Sequence, residues 1–160
     1  MKSEKKSLIL CLILCVLALA TMLLALSFGE KTIQADFVPP PFDSAACIGT
    51  PDIPEEVSWQ ELDAKVFRVS VCGEIRISGN MAMVWLTNPA SNEIWMKMRI
   101  LDMDGKILGE TGLIKPGQYV KTVPLDKVPK VGTPVVLKVM TYEPETYYSA
   151  GSISLNTTIY

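Results

Sequence analysis

The chain has 160 residues, with 15 Lys and Arg against 17 Asp and Glu and no histidine. A net charge of −2 leaves no basic surface for nucleic acid, and the absence of histidine removes Ser-His-Asp and Cys-His catalysis and the commonest metal ligand. The apolar fraction of 49% is raised by one N-terminal run, so the remaining residues are read separately.

Residues 1–7 carry Lys2, Lys5 and Lys6 against Glu4, and residues 8–28 follow without a single charge. As a helix that run would be about 30 Å long, enough for a bilayer core, and the basic flank would keep the N-terminus in the cytoplasm. The expectation is a basic cytoplasmic tail over 1–7, a single-pass transmembrane signal anchor over 8–28, and an extracytoplasmic C-terminal part in the cell membrane. A signal peptide cut after Ser27 is the alternative, disfavoured because the apolar run exceeds the usual length of about 7 to 15 residues.

Residues 29–64 change character, with Pro39, Pro40, Pro41, Pro51 and Pro54 among them. Three consecutive prolines favour extended polyproline II, so this segment reads as a stalk. Within it, Trp59 and Leu62 would share one face of a brief helical turn after Pro54. Cys47 and Cys72 can bridge across the stalk and the domain or stay as free thiols. Cys11 and Cys15 lie in the apolar run and read as small apolar residues.

From residue 65 to 160 strand follows strand. Ile94, Met96, Met98 and Ile100 alternate with Trp95, Lys97 and Arg99, a period of two. The same alternation runs through Val135, Leu137 and Val139, and through Ile153, Leu155 and Ile159. Further runs fall at 66–71, 74–78, 81–87, 106–114 and 119–125. Turn signals separate them: Ser78-Gly79-Asn80, Asn88-Pro89-Ala90-Ser91-Asn92, Asp104-Gly105 and Pro116-Gly117. Seven or eight antiparallel strands without an amphipathic helix predict an all-β sandwich of the immunoglobulin or fibronectin kind.

The stretches Leu86 to Asn92, Ile100 to Gly117 and Met140 to Tyr148 resemble an uncharacterised family of small extracytoplasmic β-sandwich proteins of Gram-positive, Clostridia-type bacteria. The resemblance covers about residues 50–160, with Asn-Pro-x-x-Asn and Ile-x-Pro-Gly as its more specific pieces. It implies a sandwich on a membrane tether, often near mobile elements, and no established activity.

No serine sits in a nucleophile setting, and Asp102-Met103-Asp104-Gly105, though reminiscent of a calcium loop, returns at once to strand and reads as a hairpin turn. Neither enzyme chemistry nor a cofactor or metal is expected. The binding candidates are aromatic: Trp95 beside Lys97 and Arg99, and Tyr142, Tyr147 and Tyr148 around Glu143-Pro144-Glu145. The expectation is a membrane-tethered binding module that recognises another envelope protein. The alternative is a structural accessory subunit of an envelope assembly, such as a conjugation, secretion or surface-fibre apparatus.

Overall fold

The structure, a computed structural model, describes residues 13–22 and 37–160. The chain divides into two compact units, Met1–Val38 and Pro39–Tyr160. In the first, residues 13–22 are helical. Among the described residues no helix is long and apolar enough to cross a membrane. The anchor expected over 8–28 is corrected on that finding. With it go the cytoplasmic N-terminus, the cell-membrane location, and the membrane and envelope partners. Residues 1–12 and 23–36 lie outside the described residues, and so do the basic tail and Cys11.

The second unit is built of strands. Its ten described strands are β1 (Cys47–Ile48), β2 (Trp59–Asp63), β3 (Arg68–Cys72), β4 (Arg76–Ser78), β5 (Met81–Asn88), β6 (Trp95–Leu101), β7 (Ile107–Glu110), β8 (Gln118–Pro124), β9 (Pro134–Tyr142) and β10 (Ser149–Thr158). They form two antiparallel sheets, one in the order β1-β8-β5-β3-β2 with β4 also on β5, the other in the order β10-β9-β6-β7. This arrangement is consistent with a β-sandwich. Met96, Met98 and Ile100 of β6 and Val135, Leu137 and Val139 of β9 turn into a shared core with Val69, Val71, Val84, Leu86, Val120 and Val123 of the other sheet. The alternation read from the sequence is therefore the alternation of burial.

The expected turns form where their residue chemistry allows. Gly79 (φ +63°) and Asn80 join β4 to β5, with Ser78 opposite Met81. Gly117 (φ +74°) follows Pro116 in a turn closed by the Gln118 amide donating to the Lys115 carbonyl, the pattern of a type II turn.

Residues 39–64 do not stand off as a stalk. β1 pairs with β8, β2 pairs along its length with β3, and Phe42 bridges Leu113. Trp59 docks on the domain, its indole Nε1 donating to the Trp85 carbonyl at 3.2 Å, but it does so from an extended strand and not from a helical turn. Because β1 and β2 flank opposite edges of one sheet, residues 49–58 cross its width. Pro51 is buried in that crossing, and Ile53 and Val57 pack on the core. Consecutive residues of β3 from Val69 to Cys72 are all buried, so both of its faces are covered.

This sheet order also separates the two cysteines. β8 and β5 lie between β1 and β3, so Cys47 and Cys72 are about 14 Å apart across the sheet, more than twice the span of a disulfide. Both are free thiols, as is Cys15. Burial pushes the Cys72 thiol up to about 12, a shift that Arg76 partly opposes and Glu74 reinforces. Its sulfur is unreactive in the folded state.

Where β5 passes β8 the register slips between Met83 and Leu86, a β-bulge. Trp85 sits in it at φ +49°, a left-handed conformation rare for a bulky side chain. The bulge aims the Trp85 ring at Lys121, whose Nζ lies 5.2 Å from the ring centroid.

Candidate functional site: an aromatic face on the smaller sheet

β6 presents Trp95, Lys97 and Arg99 on the face turned away from the core, and the register places Tyr142, Met140 and Lys138 of β9 opposite them. Trp95 is half-buried because two rings from distant segments pack on it. Phe42 approaches at 4.8 Å between centroids and 75° between planes, and Tyr147 at 5.2 Å and 66°, both edge-to-face. Lys115 lies over the Phe42 ring, its Nζ 4.7 Å from the ring centroid.

Phe42 reaches Trp95 because residues 41–43 run beside 111–114. The Leu113 amide donates to the Pro41 carbonyl at 2.9 Å, and the Asp43 amide donates to the Leu113 carbonyl at 2.9 Å. Asp43 Oδ2 accepts from the Gly112 amide at 2.8 Å, while its Oδ1 accepts from Ala45. Residues 111–114 are themselves held on β6, through Met96 and Ile114 and through Thr111 Oγ1, which accepts from the Met98 amide.

Tyr147 is brought over Trp95 by the β9–β10 loop. That loop holds two non-glycine residues in the left-handed region, Glu145 (φ +65°) and Tyr147 (φ +58°). The loop closes on itself. The Glu143 amide donates to the Tyr148 carbonyl, the Tyr147 amide to the Glu143 carbonyl, and Thr146 Oγ1 to the Glu143 carboxylate. Two such conformations within three residues are costly, and they persist because the surrounding bonds fix them. Tyr148 projects from the same loop with 71% of its surface exposed. Tyr142 lies beside Trp95 in the sheet, its hydroxyl directed at Met140 Sδ.

The expected site residues thus split. Trp95, Tyr142 and Tyr147 come together, with Tyr148 projecting beside them. The cations expected beside Trp95 are instead engaged with Glu110. Lys97 Nζ lies 2.8 Å from one carboxylate oxygen and Arg99 Nε 2.9 Å from the other, and Lys97 is almost fully buried. Phe42 was missed because it follows three prolines and reads as stalk. The signal that could have marked it is Asp43, a turn-capping residue directly after an aromatic.

Burial alone would raise the Glu110 carboxyl, but hydrogen bonds from Lys97 and Arg99 and their charges outweigh it and hold it below its ordinary 4.5. A carboxyl lowered in the folded state contributes stability above its unfolded value, and that stability is lost as pH falls through the lower folded value. Replacing Glu110 with Gln strands the buried Lys97 charge. The expected loss is about 2 kcal/mol at pH 7, less than for a fully buried pair because Glu110 is partly solvated. Urea unfolding of both proteins at pH 7 and pH 3 measures it, and the gap between them should narrow at the lower pH.

Among the described residues no cluster of His, Cys, Asp or Glu is arranged to hold a metal ion. Asp102 Oδ1 accepts from the amides of Asp104 (3.0 Å) and Lys106 (2.8 Å), so Asp102 closes the β6–β7 hairpin.

No family model matches this chain, and no curated protein matches it. The resemblance drawn on residues 86–92, 100–117 and 140–148 is corrected accordingly. The sandwich it implies is present, but the membrane tether it implies has no spanning helix among the described residues. The Asn-Pro-x-x-Asn piece instead finds its explanation in packing. Asn88 and Asn92 tie three segments of this domain together.

Proposed function

We propose that Pro39–Tyr160 is a polypeptide-binding module that engages its partner through the face formed by Phe42, Trp95, Tyr147 and Tyr148. The observation that carries this reading is the β9–β10 loop. Two left-handed residues and a closed set of hydrogen bonds hold Tyr147 on Trp95 while leaving Tyr148 outside. Rigid tyrosines on a fixed loop give large contact area at little cost in entropy, and Trp and Tyr are the side chains on which binding energy concentrates. Residue chemistry favours binding over catalysis, since there is no histidine and the Cys72 thiol is buried and held protonated.

A phage-displayed random peptide library panned on the purified chain tests the proposal. Peptides selected on the native protein should bind Tyr148→Ala and Phe42→Ala at least about tenfold more weakly, the loss of one contact-surface aromatic. The exposed Met103→Ser should leave them unchanged. Failure to select any binder, or binders indifferent to both aromatic substitutions, would overturn it.

A further inference from the structure

At the opposite end of β6 from Trp95, about 20 Å along the strand, the β6–β7 turn and the β8–β9 connection border a half-open cavity of about 560 Å³. Its apolar wall is formed by Ile107, Leu108, Val128 and Pro129. Ile107 and Val128 remain 37% and 46% exposed, so this wall is open to water and has no covering side chain. Lys106, Lys127 and Lys130 line the same cavity, and none has a carboxylate within ion-pair distance among the described residues. Two carboxylates also face it. Asp102 has one oxygen committed to the backbone amides of Asp104 and Lys106, and Asp126 is exposed to water. The cavity therefore combines an unfilled apolar wall with three lysines against two aspartates, an excess of one positive charge.

We propose that this cavity is a second binding site, for a small amphipathic anion: an apolar ring or chain that lies on Ile107, Leu108, Val128 and Pro129, with a carboxylate, sulfonate or phosphate held by the lysines. The volume is in the range of small-molecule sites, and the mixed lining matches one apolar body with one anionic head. With three lysines against two aspartates the lining carries one net positive charge, and ammonium groups outside any ion pair attract such a head without first breaking one. The site is independent of the aromatic face, since the two share no residue.

Anilinonaphthalene sulfonate, an aromatic body with one anionic head, is a suitable probe, and phenylnaphthylamine is the same body without the charge. In amide NMR titrations of the full chain, the sulfonate should give saturable shifts confined to residues 102–108 and 126–133. Lys127→Gln combined with Lys130→Gln should weaken it about tenfold, the effect of removing two exposed attractive charges. These lysines are exposed, so the fold is retained and the wild-type spectrum serves as the check. The site is overturned if the neutral analogue binds as tightly as the sulfonate, if the double substitution leaves affinity unchanged, or if the shifts centre on Trp95.

Discussion

Gly112→Ala should detach Phe42 from Trp95 and cost about 3 kcal/mol of stability, the largest effect expected of any single added methyl group on this face. A Cβ built on Gly112 would lie 2.5 Å from the Asp43 amide nitrogen, 2.6 Å from the Asp43 Cα and 2.8 Å from the Phe42 carbonyl carbon. All three are backbone atoms that cannot rotate away. Gly112 is not in a left-handed conformation, so glycine is needed here for close approach and not for its dihedral freedom. The segment over it can only move off, and it would take the Pro41 and Asp43 backbone bonds to Leu113 with it. The same substitution therefore removes one ring from the aromatic face. Urea unfolding reads the stability loss, and near-ultraviolet circular dichroism reads the loss of the Phe42–Trp95 contact. Gly109→Ala serves as the comparison. Its Cβ would meet the Pro124 carbonyl, so it should destabilise the domain while leaving the Trp95 signal of the folded fraction intact.

Asn88→Ala should be nearly as costly, at about 3 kcal/mol, and Asn88→Asp costlier still. Asn88 is fully buried. Its Nδ2 donates to the carbonyls of Ile94 (2.9 Å) and Ile114 (3.2 Å), and its Oδ1 accepts from Asn92 Nδ2 at 2.7 Å. Asn92 in turn exchanges two bonds with the backbone of Arg68, as a neighbouring strand would. Alanine removes the side-chain donor of the Ile94 carbonyl, one of the two donors to the Ile114 carbonyl and one of the two acceptors of Asn92 Nδ2, three hydrogen bonds worth about 1 kcal/mol each. Aspartate presents an acceptor to two acceptors and places a charge in the core, which is worse than deletion. Chemical denaturation of the two variants should rank them in that order. If Asn88→Asp were the milder of the two, the assigned direction of these hydrogen bonds would be wrong.

The strands from Arg68 onward were legible because their signal is physical and local. Where one face meets a core, apolar side chains recur at every second position, and Met96, Met98 and Ile100 do so between Trp95, Lys97 and Arg99 of the other face, even though Glu110 and the rings on Trp95 cover part of that face. β1 and β2 were not legible. β1 is two residues long, and β2 is an edge strand whose Trp59 and Leu62 touch the domain three residues apart, which imitates a helical face. The prolines at 39–41 read as a spacer, although what they lead into is paired chain. The aromatic face was half legible. Trp95 and Tyr147 stood out as candidates, but their meeting depends on the β9–β10 loop and on Phe42, which lies 53 positions before Trp95 in the sequence. No window of local sequence contains that contact.

The pairing of β1 with β8 also sets a timetable. Cys47 meets Tyr119, and Phe42 meets Leu113, so each partner leaves the ribosome roughly seventy residues after the first. At about 5 to 20 residues per second, that is a wait of roughly 4 to 14 s, long compared with the formation of any hairpin. The β4–β5 hairpin can close as it emerges. The N-terminal crossing cannot, because the strand that receives it has not yet been made. The segment from Phe42 to Ile48 therefore waits for residues 113–119, and only β9 and β10, which complete the other sheet, are made later still.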